Sequence, residues 1–200
     1  MKIIKFLKKY YWFYKRTNLR GLFFSILYHN IKFPIIINRA GKFRNLKHVK
    51  ISQNSFLDDH VEIFVKKDSR NLIKLNIGSF VSIGRYSCIG CADKIIIEDN
   101  VYFAPYVHVT DRNHDYRNVS FPIWQQLILT GPIKIGEGSW LGYGSQVMPG
   151  VTIGKHCVIG AGSIVTSDIP DYSVAVGIPA RVIKKYNFNS QKWESVKSYN

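Results

Sequence analysis

The apolar positions of this chain recur with a period of six. From Ile135 an aliphatic residue returns at Leu141, Val147, Ile153, Ile159 and Val165. Four places after each comes a small or branched residue: Ser139, Ser145, Val151, Cys157, Ser163 and Ile169. Helices repeat near 3.6 residues and strands near two, so neither produces this beat; a solenoid does. Each hexad predicts one short strand and a turn, and three hexads predict one triangular coil with the aliphatic residue inside. Gly136, Gly142, Gly154 and Gly160 are expected at the corners, where backbone without a β-carbon bends at least cost.

The beat is fainter upstream. It runs through Ile51, Leu57 and Ile63, with Ser55 and Val61 at the small positions, until a polar stretch at 66–72 interrupts it. It resumes at Ile77, Ile83 and Ile89, slips by two residues, and continues through Ile97, Phe103 and Val109. Such slips mark lengthened corners. Residues 110–131 carry no repeat, and a loop of that length inside an array points to function. Its aromatics, Tyr116, Phe121 and Trp124, predict an ordered loop that packs on something. After Pro170 the hexad ends; Gly177, Pro179 and Ala180 predict a turn, and Val182–Ile183 a capping strand for the open apolar end. The chain thus divides into an N-terminal extension (1–50), a solenoid (51–186) with an inserted loop (110–131), and a polar tail (187–200). The tail is expected to form a short helix or to be disordered.

Charge refines this division. The formal net charge is +15, and residues 1–50 hold thirteen Lys and Arg with no Asp or Glu. The solenoid is therefore nearly neutral. Residues 2–16 place Lys2, Lys5, Lys8, Lys9, Lys15 and Arg16 on one side of a helical wheel, opposite Ile3, Phe6, Leu7, Tyr10, Phe13 and Tyr14. That is the pattern of a basic interfacial helix on an anionic membrane, with aromatics at the acyl boundary. The alternative is packing of the apolar face on the solenoid or on a neighbouring subunit; nucleic acid is the weakest of the three partners and is not expected. Leu22–Ile37 predicts a short helix and then an extended segment entering the solenoid. Its longest apolar run, residues 22–28, is far short of the ~20 residues a spanning helix needs. There is no secretory leader pattern, and three cysteines make no disulfide framework. The expected place is cytoplasmic, peripheral on the inner face of a membrane.

A filled prism has no internal pocket, so a site must lie on an outer face, in a loop or between subunits. Of six histidines, His29, His48 and His60 have no patterned company, His156 is expected at a solvated turn, and His108 outward on a strand. His114 stands apart, in the long loop among Asp111, Arg112, Asn113 and Asp115. An imidazole suits general-base work near neutral pH, and a carboxylate nearby can hold its tautomer and raise its basicity. Cys88-x-x-Cys91 has no second cysteine pair, and no metal is expected.

The hexads, the segment HVTDRNHDY (108–116) and the ending GAGSIVTSDIPDYSVAVGIPARVIK (160–184) together resemble the hexapeptide-repeat acyltransferases, in particular the sugar O-acetyltransferases of the maltose, galactoside, O-antigen, capsule and exopolysaccharide kinds. The resemblance covers roughly residues 50–185. It implies an all-β fold, a left-handed parallel β-helix, despite the usual right-handed preference of parallel crossovers. It further implies a homotrimer with sites between subunits, acetyl-CoA as co-substrate, and a sugar or lipid-linked glycan as acceptor. His114 matches the catalytic base. Trp140, Ala161, Thr166, Ser167, Arg181 and Lys184 match coenzyme-contacting positions, and Gly142–Tyr143 would supply an oxyanion donor. Arg85, Tyr86, Asp111 and Tyr116 are weaker acceptor-side candidates. Two residues depart from the pattern: Arg112 stands where a histidine is frequent, and Tyr143 where the galactoside branch has serine. Two further readings of such a solenoid are a zinc enzyme of the γ-carbonic-anhydrase kind, for which the third histidine is missing, and a non-catalytic scaffold.

Overall fold

The computed structural model describes residues 19–38 and 40–196, so the basic leader at 2–16 lies outside the described residues. Three parallel sheets wrap around one apolar core. The widest begins at Ile36–Ile37 and takes in 56–57, 82–83, 102–103, 140–141, 158–159 and 173–177, ending in two antiparallel strands at 180–187 and 192–195. The second orders strands 42–44, 62–65, 88–91, 108–110, 146–147 and 164–165; the third orders 49–51, 75–77, 95–97, 133–135 and 152–153. Each strand pairs with the one a coil away, as Tyr102–Phe103 does with Ser82–Ile83 below and Trp140–Leu141 above. The chain is a parallel β-helix. Among the described residues no helix is long and apolar enough to cross a membrane.

The six-residue beat is the inward position. Ile135, Leu141, Val147, Ile153, Ile159 and Val165 are all fully buried, and so are Ser139, Ser145, Val151 and Cys157 four places on. The serines there tie coil to coil. Ser139 Oγ donates to the Gly154 carbonyl and accepts the N–H of Cys157; Ser55 and Ser87 make equivalent pairs of bonds. Ser145 Oγ is buried with no partner among the described residues. Burial also pushes the Cys91 and Cys157 thiols up. Cys88 and Cys91 lie three apart on one strand, and strand residues alternate sides, so the two face opposite sides and cannot share a metal.

Three expectations change. The glycines at 136, 142, 154 and 160 are not where the chain bends; the left-handed bends fall on Gly138, Gly144, Gly150 and Gly162. Gly142 is required by close approach instead: a β-carbon there would sit 2.7 Å from the Ile159 carbonyl oxygen of the next coil. Second, the solenoid begins well before residue 51. Ile31 bridges to Ile51, strand 36–37 pairs with 56–57, and strand 42–44 with 62–65. Ile31, Ile37 and Phe43 keep the six-residue spacing, but a two-residue slip before Ile51 hides the continuity. A helix, α1 (Leu19–Leu27), precedes this first coil. Third, part of the tail is strand: residues 192–195 pair with 184–187, and Trp193 packs on Tyr186, which meets Phe188 edge-on.

Replacing Ser139 with Ala should cost about 1–3 kcal/mol, because the buried Cys157 N–H loses its acceptor. Ser145→Ala, which removes an unpaired hydroxyl, should be neutral or stabilising. Urea titrations of the two variants against the parent check the contrast.

Candidate active site

At Thr110 the second sheet's strand 108–110 ends and the chain leaves the solenoid. Its departure is anchored by Asp111, which is fully buried. The carboxylate accepts the N–H groups of Ala92, Asp93 and Lys94 at 2.7–2.8 Å, and the Cys91 thiol also points at it. Ala92–Lys94 is the corner that the two-residue slip lengthened, so Asp111 holds its backbone amides in place. As an acceptor-side residue Asp111 is ruled out by this geometry: its oxygens are spent on backbone and lie out of reach of a sugar.

The inserted segment forms an arm. Strands 112–114 and 128–130 pair antiparallel, with His114 opposite Ile128. Polar bonds hold the tip: the Gln126 amide donates to the carbonyls of Asn118 and Phe121, and Asp115 N–H donates to the Leu127 carbonyl. The order does not come from aromatic packing. Tyr116, Phe121, Trp124 and Leu127 are all exposed, so what the sequence expected them to pack on is not found within this chain's described residues. His114 is exposed, and neither flanking carboxylate holds its imidazole. Asp111 faces inward, and Asp115 is clamped by Arg117, whose guanidinium keeps the carboxyl well below the usual range. His108 is half-buried between Cys88 and Gln146 on the second sheet, and burial lowers its pKa.

Most of the residues expected on the coenzyme side lie along a different edge. Trp140 is exposed on the widest sheet, in a row with Tyr102 and Val158. Gly142, Tyr143 and Ala161 follow at the corner between that sheet and the second. Arg181 pairs with Val176 and Lys184 with Val174 on the terminal strands of the same widest sheet. Thr166 and Ser167 lie one corner further on, beyond strand 164–165, on the edge from which the arm departs. The Gly142 N–H is committed to the Ile159 carbonyl at 2.8 Å. That leaves the Tyr143 N–H and hydroxyl as the donors of this pair with no partner among the described residues.

One row was not singled out from the sequence. His60, Tyr86 and Tyr106 occupy the corner beside the widest sheet in successive coils, all with φ near 60°. Their rings stack at 4.7 and 5.0 Å, and Tyr143 extends the row 5.3 Å beyond Tyr106. Each of the three stands three places after an inward residue, at Leu57, Ile83 and Phe103, which is the signal the sequence offered. The row brings Tyr86 into line with Tyr143, while Arg85 pairs with Asp58. His48, by contrast, is structural: it is buried, with Nδ1 2.9 Å from the Leu72 carbonyl and Nε2 accepting the Asp68 N–H. Among the described residues no three His, Cys, Asp or Glu side chains converge as a metal site would need. A shallow polar groove on the third sheet, between Lys50, Asn76, Glu98 and Lys155, touches none of these residues.

This fold has known counterparts. The profile described as "Bacterial transferase hexapeptide (six repeats)" matches residues 132–167. A maltose O-acetyltransferase from Clostridium difficile is 31% identical with a TM-score of 0.51, over 76% of this chain and 67% of that one. The putative lipopolysaccharide biosynthesis O-acetyl transferase WbbJ of Escherichia coli is 33% identical over 121 residues, 57% of this chain and 62% of that protein. An N-acyltransferase from Bacillus cereus, AntD, solved with dTDP and 3-hydroxybutyryl-CoA, shares the fold with a TM-score of 0.73 over 88% of this chain and 92% of that one, at 21% identity. The chain belongs to the hexapeptide-repeat transferases, and its fold is the left-handed parallel β-helix of that family. It spans less than two thirds of the curated relatives it matches, 62% of WbbJ and 39% and 45% of two others.

If Asp111 is a corner anchor, Asp111→Asn should lower stability by about 1–3 kcal/mol. The same variant should leave the Michaelis constant for an acceptor unchanged, which steady-state kinetics on folded protein can check.

Proposed function

We propose that the protein is an O-acetyltransferase that moves an acetyl group from acetyl-CoA to a sugar hydroxyl of a surface-polysaccharide precursor. The observation that carries this is His114: an exposed imidazole with neither flanking carboxylate holding it, on an ordered arm at the longest departure from the coils. Maltose and lipopolysaccharide O-acetyltransferases among the relatives support the sugar hydroxyl as acceptor.

The chemistry needs little more. His114 takes the proton of the sugar hydroxyl as that oxygen attacks the thioester carbonyl carbon. The tetrahedral oxyanion draws on the Tyr143 N–H or hydroxyl. Its collapse expels the thiolate of CoA, which recovers the proton from the imidazolium, leaving an acetyl ester and free CoA. Arg181 and Lys184 suit the coenzyme's phosphates, and the exposed Trp140 face and small Ala161 suit the pantetheine arm.

The site is completed by a second subunit. Within one chain the arm bearing His114 leaves from one edge of the second sheet, and Trp140, Tyr143 and Ala161 stand along the other. The exposed aromatics of the arm would supply an apolar surface for the neighbouring copy, and closed rings are the usual form of such head-to-tail contacts; the resemblance implies a trimer. Basic residues 2–16 would hold the assembly on anionic lipid at the inner face of a membrane, beside a lipid-linked acceptor.

His114→Ala should lower turnover about 10²–10⁴-fold while CoA affinity, read by calorimetry, stays within about threefold. Trp140→Ala should fail on the donor side instead. Refolding the two inactive variants together should restore partial activity, because mixed assemblies contain an intact site; no recovery at all would exclude a shared site.

A further inference from the structure

Helix α1 has two unlike faces. One packs on the first coil: a β-carbon on Gly21 would overlap the Ile35 carbonyl, Phe24 meets Phe43 edge-on at 5.8 Å, and the Arg20 guanidinium donates to the Asn38 carbonyl. The other face carries Leu19, Phe23, Ile26 and Leu27, which are 86, 60, 70 and 56% exposed. These positions recur at three- and four-residue steps, so they form one stripe. Four large apolar side chains in a row form a patch that, on a soluble surface, marks an interaction site.

The charge around the stripe selects its occupant. Residues 1–50 carry thirteen basic residues and no acidic one. Of these, Lys42 pairs with Glu62, but a second copy docking by the same stripe would bring two strongly basic segments together without acidic residues of their own. An anionic lipid surface neutralises them and accepts the apolar stripe at once.

We propose that the Leu19–Phe23–Ile26–Leu27 face of α1 inserts into the headgroup–acyl boundary of an anionic membrane and stands the solenoid on its N-terminal end. The inference rests on the proposed lipid role of residues 2–16 and adds to it a defined insertion face. It also sets a height. Coils stack at the ~4.8 Å spacing of a sheet, so the fourth coil, from which the His114 arm departs, stands on the order of 15 Å above the first. The acceptor this favours is a glycan that carries its hydroxyl clear of the headgroups, a lipid-linked sugar chain rather than a sugar lying in the interface.

The test is co-sedimentation of full-length protein with phosphatidylcholine vesicles, with and without phosphatidylglycerol. Parent protein is expected on the anionic vesicles and only weakly on the neutral ones. Phe23→Ser with Ile26→Ser should bind at least about tenfold more weakly, with circular dichroism and assembly size unchanged. Equal binding by this variant overturns the insertion face and leaves the leader's role standing. If the parent binds neither vesicle, both fall. A variant that breaks into smaller assemblies shows the stripe to be a subunit contact and overturns the proposal as well. Should the double variant misfold, Leu19→Ser at the most exposed position gives the same reading with a smaller expected loss.

Discussion

The constraint on which the rest of this molecule depends is the stacking of one coil on the next at the spacing of a β-ladder. Backbone amides of each coil donate to carbonyls of its neighbour, as Gly136 does to Ile153, Gly142 to Ile159 and Gly160 to Ala175. At that spacing a β-carbon on Gly136 or Gly142 would run into backbone of the next coil. Inside, the same stacking aligns Ile83, Phe103, Leu141 and Ile159 in one continuous row, all fully buried. The core is therefore solid from end to end. Chemistry has to be built outside it, on the edges.

The inserted arm shows what such a departure requires. Leaving a β-helix exposes backbone groups on both sides of the break, and unpaired buried amides cost about 1–3 kcal/mol each. Asp111 meets that cost for the lengthened corner beneath the break by accepting three N–H groups at once. The return is closed by Gly131, whose N–H donates to the Asp111 carbonyl and whose own carbonyl accepts from Gly150. One residue thus serves the corner with its side chain and the arm with its backbone. A residue that on its position alone reads as a binding group is what lets the arm exist.

The core was legible because burial imposes a period, and a period of six has no competing explanation. Ile135 to Val165 needed no structure to be placed. The edges were less legible, for three physical reasons. A two-residue slip before Ile51 broke the count, so Ile31 to Phe43 read as extension when they are the first coil. Gly142 and Gly144 look alike in a sequence, yet one answers to a neighbouring carbonyl and the other to a left-handed φ of 65°. Asp111 and Asp115 both flank His114, and only three-dimensional pairing reveals that one turns inward and the other to Arg117. His114 itself could be singled out from its loop, but what surrounds it could not.

A solenoid couples neighbours only, so its stability and its functions sum along one axis. That lets distinct tasks occupy distinct heights without sharing residues. On the reading proposed above, the basic leader and the α1 stripe use the first coil, the proton transfer uses the break within the fourth, and the coenzyme uses the last coils and their hairpin. The charge distribution agrees with this separation. Positive charge is concentrated in the leader, α1 and the first coil, while beyond residue 51 basic and acidic residues nearly balance and pair locally, as Lys134 does with Glu98 and Arg85 with Asp58. A shaft that is nearly neutral above its first coil would keep the proposed catalytic edge from being drawn onto the anionic surface that would hold the other end. A uniformly basic solenoid of the same net charge would lie flat on that surface, with one of its three faces, and whatever site stood there, against lipid.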